Sequence, residues 1–121
     1  MQRVRGTPIT VGGGYDFKPA WLGGLQQVTG QVEKWIQGQN TQPACVVRLD
    51  TPLAATGLVH GKRERRTGTF LILEVRYAGQ EWEPSGTVHV ELCETEPEDK
   101  AWGDREFGAW VESHATYSFS D

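Results

Sequence analysis

Four cations fall within five residues at Lys62-Arg63-Glu64-Arg65-Arg66, with His60 just ahead and Gly61 and Gly68 on either side. Cations at that density suit a polyanion. Each Lys or Arg set against a phosphate releases a condensed counterion, so affinity rises with the number of contacts and falls with salt. The plainer reading is a solvated segment, or one that docks on acidic residues of its own or a neighbouring chain.

A second set is aromatic. Tyr15, Phe17 and Trp21 share one short segment closed by Gly23-Gly24, and Trp35 occupies an outward position in an alternating run that follows. Rings exposed beside loops suit stacking on bases, sugars or a partner's apolar anchor. A small domain also needs large residues simply to close its ends, which is the ordinary fate of Trp. A third set alternates along two runs, His89 with Glu91 and Glu112 with His114. If those runs paired antiparallel, two imidazoles and two carboxylates would gather on one face, a donor set for a divalent metal or a proton transfer. A His-x-Glu on a solvated face is otherwise a surface pair.

Nucleophilic chemistry has little to stand on. Cys93 and His89 are four residues apart on one strand, about 13 Å if the strand is straight, and no Ser sits in a Gly-x-Ser-x-Gly turn. Gly12-Gly13-Gly14 lacks the Gly-Lys-Ser/Thr ending and the following helix of a phosphate loop, and reads as a turn. No motif calls for a cofactor.

The elements that must carry these residues are short extended runs fenced by Gly, Pro and Asp. Ile9-Thr10-Val11 is the first. Leu25 to Gln37 alternates as a long bent strand, with Val28, Gly30, Val32, Lys34 and Ile36 on one face and Thr29, Gln31, Glu33 and Trp35 on the other. Gly30 within it predicts a kink or a close backbone approach. Ala44 to Leu49 is nearly continuous in apolar residues, as in a central strand, and Asp50-Thr51-Pro52 reads as its end. Leu53 to Gly68 then reads as a long loop carrying the basic run. Thr69 to Tyr77 and Thr87 to Glu94 alternate cleanly, with Leu71, Leu73, Val75, Val88 and Val90 inward. Thr95 to Gly108 is acidic and irregular, and Ala109 to Phe119 alternates once more as a final strand.

A short first strand, an aromatic loop, a bent strand with Gly30-Gln31-Val32 and three further strands together resemble the SH3-like barrels, including the KOW-type nucleic-acid-binding modules. The resemblance covers roughly residues 7–94. It implies an all-β fold, a small, partly open barrel of five or six strands with long loops, to which residues 95–121 add an acidic connection and one more strand. Residues 1–121 form one domain on this reading.

Charge and composition narrow the partners. The net charge is −4. Residues 1–80 hold ten Lys/Arg against five Asp/Glu, whereas residues 81–121 hold two against eleven. The charge balance therefore argues against an overall polyanion-binding surface unless the basic part folds into its own patch, and leaves a local basic site for nucleic acid. No apolar run reaches the roughly 20 residues of a membrane span, and the basic start at Arg3 and Arg5 lacks a following apolar stretch. Cys45 and Cys93 lie in apolar runs and read as free thiols of a reducing compartment, so the expected location is cytoplasmic. The function these features favour is a non-catalytic binding module, holding a small ligand or partner peptide in a groove formed by Tyr15, Phe17, Trp21 and Trp35. The alternative is RNA or DNA binding through His60, Lys62, Arg63, Arg65 and Arg66. A metal-dependent enzyme using His89, Glu91, Glu112 and His114 is third, and a homodimer that docks basic run on acidic tail is a further possibility.

Overall fold

The computed structural model describes residues 3–13, 26–37, 42–59, 62–75, 81–93 and 112–120. They hold six strands and, among the described residues, no helix: β1 (Pro8–Gly13), β2 (Gln27–Ile36), β3 (Ala44–Val59), β4 (Lys62–Glu74), β5 (Ser85–Cys93) and β6 (Glu112–Phe119). Each strand pairs antiparallel with the next, and β6 returns to pair with β1. The all-β barrel expected from the sequence is what the structure shows, with six strands and a C-terminal strand; the sheet is closed, and that last strand is the stave that closes it. Closure matters because a sheet rolled onto itself leaves no edge along the paired rungs.

The alternation that builds the barrel is plain in the sequence. Ile9 and Val11 of β1, Leu71 and Leu73 of β4, Val88 and Val90 of β5, and Ala115, Tyr117 and Phe119 of β6 all point inward and are buried. Full burial of a side chain such as Leu71 or Leu73 contributes roughly 1.5–3 kcal/mol. The apolar run in β3 is buried on both faces. Cys45, Val47 and Leu49 join the interior, whereas Ala44 and Val46 meet Phe70 and Ile72 on the outer side of the wall.

In β2 the alternation breaks. Val32 pairs with Val47, but the next rung joins Lys34 to Val46, so Glu33 is an extra residue, a β-bulge. One inserted residue reverses every side chain beyond it. Trp35, expected outside, pairs with Cys45 and packs against the interior, while Ile36 turns to the outer cluster. The bulge is held by charge. Glu33, only 9% exposed, accepts from Arg48 Nε at 2.8 Å and from Arg5 at 2.9 Å. The Arg48 hydrogen bond, outweighing the cost of burial, holds the Glu33 carboxyl below its ordinary range, with the charges of Arg48 and Arg5 acting the same way.

Gly30, three residues before the bulge, is where two strands come too close for a side chain. A Cβ there would lie 2.4 Å from the Arg48 carbonyl oxygen and 2.7 Å from Val47 Cγ1. The expected close approach is therefore real.

Asp50-Thr51-Pro52 does not end β3. The strand continues to Val59, and β4 begins at Lys62, so the segment expected as a loop is mostly paired strand. The sequence misleads here because Asp, Thr and Pro make good turns but are also tolerated in a strand where the ladder is interrupted. The register between β3 and β4 does slip between Arg48 and Leu53.

Cys45 is a free thiol. It pairs with Leu73 on one side of β4, while Cys93 pairs with Phe70 on the other. Two strand spacings, roughly 9–10 Å, exceed the Cα separation of about 7 Å that a disulfide can span.

Candidate functional site

Beyond the barrel, β3 and β4 continue as a pair. The pairing of β2 with β3 stops at Leu49, and that of β5 with β4 begins at Phe70. From Leu53 opposite Gly68 to Val59 opposite Lys62 the register runs unbroken through seven rungs. That stretch is about 20 Å long at the usual rise per residue. Among the described residues no other strand pairs with it, so among them it continues past the rungs of the barrel as a two-stranded ribbon whose first rung, at Leu53, still belongs to the core.

The ribbon collects the basic run on one strand. Lys62, Arg63, Arg65 and Arg66 lie on β4, opposite Val59, Leu58, Thr56 and Ala55 respectively. Strand alternation assigns positions 63 and 65 to one face and 62, 64 and 66 to the other. The facing strand from Leu53 to Val59 has no charged residue and several small ones. His60 lies between the two strands in sequence, outside the described residues.

At the root of the ribbon a cleft of about 250 Å³ opens, lined by Gln27, Val28, Thr29, Thr51, Pro52 and Leu53. It is the gap left where β2 parts from β3. The Thr29 hydroxyl donates to Asp50 Oδ2 at 2.8 Å, which ties the two strands together across that gap.

The aromatic set divides. Tyr15, Phe17 and Trp21 lie outside the described residues. Trp35 is half-buried at the opposite end of the barrel from the ribbon, where it meets Trp82 edge to face with ring centroids 5.2 Å apart. Trp82 in turn packs on Tyr117 and Phe119 at 5.0 and 6.1 Å. Each polar handle is used inside the fold. Trp35 Nε1–H donates to the Arg3 carbonyl, Trp82 Nε1–H donates to the Pro43 carbonyl, and the Tyr117 hydroxyl accepts from the Glu83 N–H. Burial pushes the Tyr117 phenol above its ordinary range. Arg3 lies over the Phe119 ring at 4.4 Å and completes a plug for that end. The connection holding Tyr15, Phe17 and Trp21 joins β2 at Gln27, eight residues and about 26 Å of strand from Trp35. Sequence reasoning missed Trp82 because Glu81-Trp82-Glu83-Pro84 has no alternation to signal burial.

His89 and Glu91 lie on β5, Glu112 and His114 on β6, and these strands do pair antiparallel. The register slips between Val88 and Val90, which places Glu112 opposite inward Val90 and Ala115 opposite Val88. On its other side His89 is paired with Glu74 of β4, and Glu91 with Ile72. Of these four side chains only that of His89 is among those described, so the His/Glu set as a whole lies outside the described side chains; among the described ones no three His, Cys, Asp or Glu come together as a metal site. No helix among them is long and apolar enough to cross a membrane.

In comparison with known proteins, no family model, curated protein or solved structure matches the chain.

Proposed function

We propose that this protein is a non-catalytic nucleic-acid-binding module whose binding element is the ribbon of residues 53–68. The observation that carries the reading is the placement of Lys62, Arg63, Arg65 and Arg66 on one strand of a two-stranded ribbon, past the last rungs of the barrel. A basic run in a floppy loop would lose conformational entropy on ordering against a ligand. A backbone already held as a strand at these positions has less of that entropy to lose. Segregation of charge supports the reading too, since only a local basic site could overcome a net charge of −4. The SH3-like and KOW-type resemblance is in keeping with it, as a small barrel that presents a basic element to nucleic acid. An aromatic groove has less under it, because Trp35 is already engaged with Trp82 and Arg3.

Salt dependence is the test. Four cations each neutralising one phosphate give a slope of log affinity against log salt of about −3.6 on a duplex, a loss of roughly 150-fold between 50 and 200 mM salt. Fluorescence anisotropy on a labelled mixed-sequence oligonucleotide measures it directly. Replacing Lys62, Arg63, Arg65 and Arg66 together by Thr, which suits a strand, is expected to abolish both binding and slope. No binding by the parent protein at 50 mM salt, or binding unchanged in the fourfold variant, would refute the proposal.

A further inference from the structure

At the end of the barrel away from the ribbon, a cation is already seated among aromatic rings. The Arg3 guanidinium lies 4.4 Å from the centre of the Phe119 ring. Trp82 has its ring centroid 6.1 Å from that of Phe119 and 5.2 Å from that of Trp35, and the Trp35 indole donates to the Arg3 carbonyl at 2.8 Å. A guanidinium is planar and weakly hydrated, so it exchanges water for an aromatic face more readily than an ammonium does. We infer that this end of the barrel is a binding site for an arginine side chain of a partner peptide, and that Arg3 of the same chain holds the seat until such a side chain displaces it.

The charges around the seat agree with a cationic ligand. Glu81 and Glu83 flank Trp82 in the sequence, and both are exposed. Burial is the main cause of the raised Tyr117 phenol, yet the charges of Glu83 and Arg3 reach it too, Glu83 raising it and Arg3 lowering it. A carboxylate and a guanidinium therefore converge on the ring that packs edge to face against Trp82 and Phe119.

The segment that fills the seat lies at the surface. Gly6, at φ +93°, donates its N–H to the Val32 carbonyl at 2.8 Å and anchors the entry to β1. Ahead of it Val4 is 75% exposed, and the Arg5 side chain, which reaches Glu33, is 74% exposed. Such a segment lifts at less cost than a stave of the barrel. Trp35 and Trp82 are only partly buried, so solvent already reaches both rings. A side chain tethered this closely competes as though present at a concentration on the order of millimolar. A lone arginine derivative therefore displaces Arg3 weakly, and removing the Arg3 side chain should uncover the site.

The probes are N-acetyl-arginine amide and its lysine and citrulline counterparts, the last replacing the guanidinium by a neutral group of similar shape. They are titrated against isotope-labelled protein, with the indole N–H signals of Trp35 and Trp82 in NMR spectra as the readout. The proteins are the parent, Arg3→Ala and Arg3→Gln, both of which keep the carbonyl that Trp35 uses, with thermal melting to confirm that each folds. The arginine probe is expected to move both indole signals and to bind the two variants about fivefold or more tighter than the parent, since the tethered competitor is gone. It is also expected to bind them more tightly than either counterpart. No shift in either variant, or shifts of the same size from the citrulline probe, would overturn the site. A lysine probe binding as tightly as the arginine probe would overturn the choice of a guanidinium, and equal affinity in parent and variants would overturn the role of Arg3 as occupant. The ribbon reading stands or falls separately, on oligonucleotide binding.

Discussion

Gly30→Ala is the substitution whose cost follows most directly from the structure. The added methyl would sit 2.4 Å from the Arg48 carbonyl oxygen, 2.7 Å from Val47 Cγ1 and 3.1 Å from the Arg48 carbonyl carbon. Two of these three atoms are backbone, so no rotamer change relieves the clash. Gly30 also bridges Ile9 of β1 and Leu49 of β3, so the strand cannot move away from one neighbour without disturbing the other. Overpacking of a rigid site costs about 1–3 kcal/mol, and the upper part of that range applies where backbone must move. Against it stands a gain of about 0.4–1 kcal/mol from restricting the unfolded chain. The net loss is about 2 kcal/mol. With an unfolding entropy near 2.1 cal/mol/K per residue, a chain of this length has about 0.25 kcal/mol/K in all, so Tm should fall by about 8 °C. Differential scanning calorimetry, with urea midpoints at unchanged m-value as a second measure, reads this out. Gly6→Ala isolates the other mechanism: that residue has φ +93° with nothing within 4 Å of the added Cβ, so its cost of about 1–2 kcal/mol comes from backbone preference with no clash. A Gly30→Ala protein melting within 2 °C of the parent would show that β2 and β3 are not held as close as described.

Two further outcomes follow from ionisable groups. Glu33 is held ionised by Arg48 and Arg5, so its contribution to stability is full above the unfolded carboxylate pKa near 4.5 and is lost as pH falls through the lower folded value. Glu33→Gln should therefore be less stable than the parent by about 1–2 kcal/mol at pH 7, with the gap closing in acid; urea melts at pH 7 and pH 3 showing a constant gap would contradict this. Cys45 is fully buried, and burial alone pushes its thiol up to about 12. Iodoacetamide at pH 8 with peptide mapping should leave Cys45 unlabelled until urea unfolds the barrel, and rapid labelling of the native protein would show that the thiol is reached by solvent.

Most of the barrel was legible from alternation, because one side of each stave is dry. Leu71 and Leu73, Val88 and Val90, and Tyr117 and Phe119 declare their inward face by spacing alone. The near-continuous run Ala44 to Leu49 was equally informative, since it fills both the interior and the outer cluster. What alternation could not reveal was a one-residue insertion. Glu33 sits in an otherwise perfect period-two run, and only its two Arg partners, one of them 28 residues away, show why it bulges and why Trp35 turns inward. The ribbon was hidden for a related reason. Residues 53–59 carry little pattern of their own, and Asp50-Thr51-Pro52 imitates a turn, so their strand character comes from pairing with β4 rather than from local preference. The basic residues were visible in the sequence, but their arrangement on a strand was not.

Closure of the wall by β1 and β6 bears on how the chain reaches this state. The four hairpin pairings from β2 to β6 join strands that follow one another, yet the last seam joins Ile9 to Phe119 and Gly13 to Ala115, with more than a hundred residues between partners. The Thr116 hydroxyl that donates to the Gly13 carbonyl spans 103 positions. Until that seam forms, β1 and β6 each expose an open edge, and the interior residues Ile9, Val11 and Tyr117 have no complete enclosure. Contacts so distant in the chain slow folding, because the entropy of closing the loop is lost before the contacts reward it. Any partly folded state in which this seam is open would present two adhesive strand margins, so the seam is where the barrel is most open to pairing with another molecule.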